Sequence, residues 1–167
     1  MSDRHWCRSC AAARPMKLWA TLVFAALAAA LGPVTRASAA LPPIHGQFDL
    51  TTVEGRRVTL ADFKGKWLLV YFGYTFCPDV CPATLTEMGG ALKELGPRAA
   101  RVQALFITVD PARDSAAVIK RYLKAFDPRI EGLRGDAKAT DEAAKSFHVY
   151  YRKRSVGGGE YTIDHSS

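Results

Sequence analysis

The sequence predicts an α/β domain of three layers, with helices on both faces of a mostly parallel central sheet and a β-hairpin ahead of it. Three observations carry that prediction. The runs WLLVYF at 67–72 and VQALFITVD at 102–110 have the composition of strands buried on both faces of a parallel sheet. Apolar residues at helical spacing follow each run, which gives the strand–helix alternation of a doubly covered sheet. A stretch that alternates apolar and polar residues on both sides of Glu54-Gly55 supplies the hairpin.

Residues 1–39 stand apart from this domain as a leader. A basic segment to Lys17 precedes LWATLVFAALAAAL at 18–31, and Ala37-Ser38-Ala39 has the small-x-small pattern of a signal-peptidase site. The apolar run of 14 residues is short of the about 20 that a membrane span needs. A cleaved export signal is therefore expected in preference to an uncleaved membrane anchor, and either one delivers the remainder across a membrane. The formal charge of +7 is concentrated in this leader, which holds Arg4, Arg8, Arg14, Lys17 and Arg36 against Asp3. Of 23 basic and 16 acidic residues, 18 and 15 remain beyond it, a net of +3 with no basic run interleaved with aromatics. That excludes nucleic-acid binding. Cys7 and Cys10 lie within the leader and are read as incidental.

The linker at 40–46 contains Pro42 and Pro43, which hold it extended. His45 within it is expected to be solvated. The domain at 47–167 then begins with the hairpin, placed at an edge of the main sheet. After the strand at 67–72 comes FGYTFCPDVCP at 72–82, in which Pro78 suits the first turn of a helix and Pro82 still falls in its tolerant zone. Leu85, Met88, Ala91, Leu92 and Leu95 give that helix its apolar face, and Gly96-Pro97 ends it. Beyond the strand at 102–110, Val118, Ile119, Tyr122, Leu123 and Phe126 mark a helix over 115–126, with Asp114 as a candidate cap. GLRGD reads as a loop, 137–147 as a shorter helix, HVYYRK from His148 as a strand, Gly157-Gly158-Gly159 as a turn, and EYTIDHSS as a last strand. This order is that of a thioredoxin-like fold.

Cys77 and Cys81 are the chemistry-bearing pair. A strand end followed by a helix start offers free N–H groups and a helix dipole, both of which favour a thiolate. Four residues apart, the two sulfurs can converge on one metal ion or close one disulfide. Three intervening residues give a soft ion more room than the usual two, and a thiophilic ion such as Cu(I) suits the thiols better than structural zinc, which wants four protein ligands. A plain stabilising disulfide remains open on spacing alone, although so short a loop gains little from closure. A thiol-disulfide reductase would use the same residues, with Cys77 as the nucleophile. A peroxidase of related fold is a third possibility.

Three segments in order, YFGYTFCPDVCP at 71–82, ITVDPARD at 107–114 and YTIDHSS at 161–167, resemble the Sco/SenC family of copper proteins, and the similarity extends over nearly everything after the leader. The resemblance implies a thioredoxin-like domain that binds copper, as Cu(I) or Cu(II), and serves assembly of the dinuclear copper centre of cytochrome c oxidase subunit II. The implied metal ligands are Cys77, Cys81 and His165, with no catalytic residue required. Taken alone, His165 would be an ordinary solvated histidine. Implied partners are subunit II or its assembly intermediate and other periplasmic copper carriers, on the periplasmic or exported side of the membrane, with membrane association through an uncleaved leader. Asp164, beside His165, is expected to point away from the metal, Asp79 to tune the thiols or meet a partner, and His148 to be a strand residue. Members of the family continue past the DHS segment, so the C-terminal part of the fold is expected to be missing, with a mobile end after His165.

Overall fold

The computed structural model describes residues 44–166, all within one compact unit that spans Pro42–Ser167. The expected leader, the Cys7–Cys10 pair and the first part of the linker lie outside the described residues. Seven strands and three α-helices follow in order: β1 (Asp49–Thr52), β2 (Arg57–Thr59), β3 (Trp67–Gly73), α1 (Val80–Glu94), β4 (Val102–Thr108), α2 (Ala116–Leu123), β5 (Ile130–Arg134), α3 (Ala137–Ser146), β6 (Tyr151–Gly157) and β7 (Glu160–His165).

The main sheet has the order β2-β1-β5-β4-β3. β3, β4 and β5 run parallel, whereas β1 is antiparallel to β5 and β2 to β1. The hairpin thus extends the parallel strands at one edge, as its alternation predicts. Side chains on β4 alternate between two covered faces. Phe106 meets Tyr71 and Tyr122 on one face, at centroid distances of 6.3 and 6.1 Å. Phe72 meets Phe147 on the other at 5.4 Å. α2 covers the first face and the end of α3 the second. Leu105, Phe106 and Ile107 are fully buried between them, with Leu85 and Leu92 of α1, Ile119 of α2 and Leu133 of β5.

Several expectations need correction. Residues 130–134 form β5, not a loop; the strand reads poorly because Gly132 interrupts its apolar residues. A Cβ at Gly132 would stand 2.7 Å from Ile119 and 2.9 Å from Leu123, so the position has room only for glycine as packed. β3 is not buried throughout. Trp67 is 72% exposed, and only the end nearest the thiols is sealed. α1 begins at Val80, which leaves Pro78 ahead of it and puts Pro82 in its first turn, where a missing N–H costs nothing. α2 is capped by Ser115, whose hydroxyl accepts from the Val118 N–H, and not by Asp114. His148 has φ +57 in the turn after α3 and is exposed, so it is no strand residue. Among the described residues, the last two strands pair antiparallel only with each other, as a second sheet.

Candidate metal centre

The candidate centre forms where the carboxyl end of β3 turns into α1. Gly73 closes the strand, and its carbonyl accepts from the Val109 N–H at 2.8 Å, so β3 and β4 stay paired up to the turn. The Cys77 N–H donates to the Tyr74 carbonyl at 3.3 Å, which folds the chain back before the helix. Asp114 anchors this turn from below. Its carboxylate accepts from the Thr75 N–H at 3.0 Å and from the hydroxyls of Thr75 and Thr108 at 2.6 Å each. The residue is fully buried, and burial raises its carboxyl above the ordinary value.

Cys77 and Cys81 are free thiols in different surroundings. Cys77 is partly exposed, between exposed Phe76 and Pro78, while Cys81 is fully buried in the first turn of α1. The Cys81 N–H, one of the donors that a helix start leaves free, points at Cys77 Sγ at 3.4 Å. Burial pushes the Cys81 thiol up from 9.0 to about 11, so at this cysteine desolvation outweighs the thiolate-favouring effect expected of a helix start. Gly73 makes room for its sulfur, since a Cβ there would lie 3.2 Å from Cys81 Sγ.

His165 ends β7 and reaches the same place from the opposite end of the sequence. Its Nε2 is 3.7 Å from Cys81 Sγ, and its ring stands edge-on to Tyr74 and Tyr71, at centroid distances of 5.9 and 6.2 Å. Nδ1 lies 3.3 Å from the Ser166 carbonyl oxygen. A carbonyl only accepts, so this contact favours the tautomer with its proton on Nδ1, in which Nε2 presents a lone pair to the sulfur and the Cys81 thiol is the donor across the gap. The Tyr71 hydroxyl is buried on the same side without a regular hydrogen bond.

The structure therefore brings Cys81 and His165 together and sets Cys77 beside them. Among the described residues no three His, Cys, Asp or Glu side chains already stand at the spacing of a closed metal site. In kind, two thiols and an imidazole fit a thiophilic ion, with a histidine whose free nitrogen faces the sulfur. Asp164 points away, as expected, and pairs with Arg154 across the hairpin at 3.3 Å. Asp79 is the exposed N-cap residue of α1, and His45 is exposed. Sequence reasoning missed Tyr71 and Tyr74, the aromatic walls of the histidine. The signal for Tyr71 was the period of two along β3, which puts it on one face with Gly73; Tyr74 follows the strand and had no such signal.

The family model for SCO1/SenC matches residues 36–167. The mitochondrial SCO2 homolog of Bos taurus is 42% identical over 128 residues, which cover 73% of this chain and 47% of that protein. The mitochondrial SCO1 homolog of Homo sapiens is 40% identical over 128 residues, 75% of this chain and 42% of that protein. The chain thus spans somewhat under half the length of these curated relatives. Among solved structures, Bradyrhizobium japonicum ScoI with copper bound aligns at TM-score 0.71 and 46% identity, covering 74% of this chain and 79% of that one. Yeast Sco1 with copper bound aligns at 0.69 and 40%, covering 75% and 71%.

Proposed function

Because this chain belongs to the SCO1/SenC family, we propose that it binds copper through Cys77, Cys81 and His165 and delivers it during assembly of the dinuclear copper centre in cytochrome c oxidase subunit II. The observation that carries this reading is the 3.7 Å approach of His165 Nε2 to Cys81 Sγ across 84 residues of sequence, with Cys77 adjacent. A soft donor set of this kind suits Cu(I), and Cu(II) is accommodated with a further oxygen ligand. Delivery also needs an approachable ligand and a surface for the acceptor. Cys77 is partly exposed, and Phe76 and Val80 beside it are 58% and 59% exposed. The acceptor is subunit II or its assembly intermediate, other copper carriers of the same compartment supply the metal, and the leader places the domain on the exported side of the membrane.

The test is to load the reduced chain with Cu(I). Close to one equivalent is expected to bind tightly, Cys77→Ser or Cys81→Ser to abolish binding, and His165→Ala to weaken it. Thiol variants that bind like the parent end this reading. A second reading, a thiol-disulfide reductase that keeps a partner's copper-ligand cysteines reduced, is favoured by the contrast between an accessible Cys77 and a buried Cys81. Turnover of a protein disulfide that survives His165→Ala identifies it.

A further inference from the structure

Among the described residues, the hairpin that carries His165 has no ladder to the rest of the domain. β6 and β7 pair only with each other, and among the described residues no backbone–backbone hydrogen bond links either strand to the main sheet. What holds the hairpin in place is therefore side-chain chemistry. Tyr161, Ile163 and His165 alternate onto one side of β7, and all three reach inward, Ile163 into the core at 3% exposure.

Most of the polar attachment converges on Tyr161. Its hydroxyl donates to both carboxylate oxygens of Asp110, at 2.8 and 3.0 Å. Arg113 Nε also donates to Asp110, while Nη1 of the same guanidinium donates to the Tyr161 carbonyl at 3.0 Å. The guanidinium lies over the Tyr161 ring at 3.7 Å. Lys153 of β6 closes the group, 3.6 Å from Asp110 and 4.6 Å above the same ring. Asp110 is fully buried and Arg113 is 19% exposed, so their contacts are made largely away from water, where they gain strength, whereas Lys153 is half exposed and adds less. One further tie, from the Tyr74 hydroxyl to Thr162 and to the Ile163 N–H, at 2.9 and 3.4 Å, restrains the next residues.

On the reading of His165 as the third ligand, we propose that Asp110 and Arg113 are positioning residues for it. They grip Tyr161, four residues earlier on the same side of β7, and so fix the translation and rotation of a hairpin that no ladder ties to the main sheet. Neither touches the candidate ligands. Arg113 also lies over the ring of Phe76, beside Cys77, at 4.8 Å, so the route through His165 is the one that Tyr161→Phe, which leaves that contact in place, isolates.

The experiment uses the reduced full chain with Arg113→Gln and Tyr161→Phe, each alone and combined with His165→Ala. Two quantities are read: Cu(I) affinity by chelator competition, and amide hydrogen exchange in the metal-free state. Each clasp variant is expected to speed exchange across β6 and β7 about tenfold with β3 and β4 unchanged. Each should weaken Cu(I) about tenfold with His165 present and add nothing once His165 is alanine. Equal weakening with and without His165, or unchanged hairpin exchange, overturns the proposal. Tyr161→Phe keeps the charge pair intact, so it answers the question even if Arg113→Gln fails to fold. Should His165→Ala itself leave Cu(I) affinity untouched, the ligand assignment falls and the proposal with it; a loosened hairpin in the clasp variants then shows that the assignment, and not the clasp, was at fault.

Discussion

Replacing Gly73 by alanine probes how closely the end of β3 is packed on the buried thiol. A Cβ at this position would stand 2.9 Å from Tyr71 Cε1, 3.0 Å from Phe106 Cε2 and 3.2 Å from Cys81 Sγ. Carbon atoms rest at about 3.5 to 4.0 Å, so each ring would have to give by about half an ångström. Neither has a free direction: the two rings pack on each other at 6.3 Å, and Phe106 packs on Tyr122 at 6.1 Å. Overpacking of this kind costs about 1–3 kcal/mol. It also pushes on a sulfur whose distance to His165 Nε2 is 3.7 Å, so copper binding should weaken with stability. The assay is urea unfolding of the reduced, metal-free chain, with a lower midpoint at unchanged slope. Gly90→Ala is the control. Nothing lies within 4 Å of a Cβ there, and the residue sits inside α1, so a gain of about 0.5–1 kcal/mol is expected. A Gly73→Ala chain as stable as the parent to within about 0.5 kcal/mol would refute the packing argument.

Other outcomes follow from the same geometry. Iodoacetamide should label partly exposed Cys77 well before Cys81, which is fully buried with its thiol pushed up to about 11; mass spectrometry of the two peptides at early times checks the order. Gly132→Ala should cost about 1–3 kcal/mol in the same unfolding assay, because its Cβ meets Ile119, Leu123 and Val53 within 3.0 Å. Asp127 is held down from 3.8 to about 2, chiefly by its hydrogen bond from Arg129. A carboxyl depressed on folding stabilises above its unfolded value and loses that contribution as pH falls through the folded one. Asp127→Asn should therefore lower stability at neutral pH by about 1 kcal/mol, with screening around the exposed part of Arg129 included. The difference from the parent should fade between about pH 4 and pH 2.

How much of this was legible in the sequence depended on how local each signal was. β3 and β4 announce themselves as apolar runs, and the hairpin at Glu54-Gly55 as an alternation around a turn. β5 does not, because its central residue is a glycine selected by the side chains of α2 and not by any strand preference. The cap of α2 was misplaced by one residue for a similar reason: Asp114 is an ordinary capping residue by type, but its carboxylate is engaged by Thr75 and Thr108 from elsewhere in the chain. His165 shows the limit most plainly. Nothing in its own neighbourhood marks it, and the candidate role came from resemblance; its approach to Cys81 depends on the contacts of Tyr74 and Arg113, which no spacing rule reads.

The buried carboxylate of Asp114 has a further consequence for how such chains diverge. It is satisfied by two threonines, Thr75 in the turn before Cys77 and Thr108 at the end of β4, and an apolar replacement at any one of the three positions strands polar atoms in the core. The three sites are then expected to drift as a set. Relatives should keep the whole trio or exchange it for an apolar one, and single-member losses should be rare among chains that still fold.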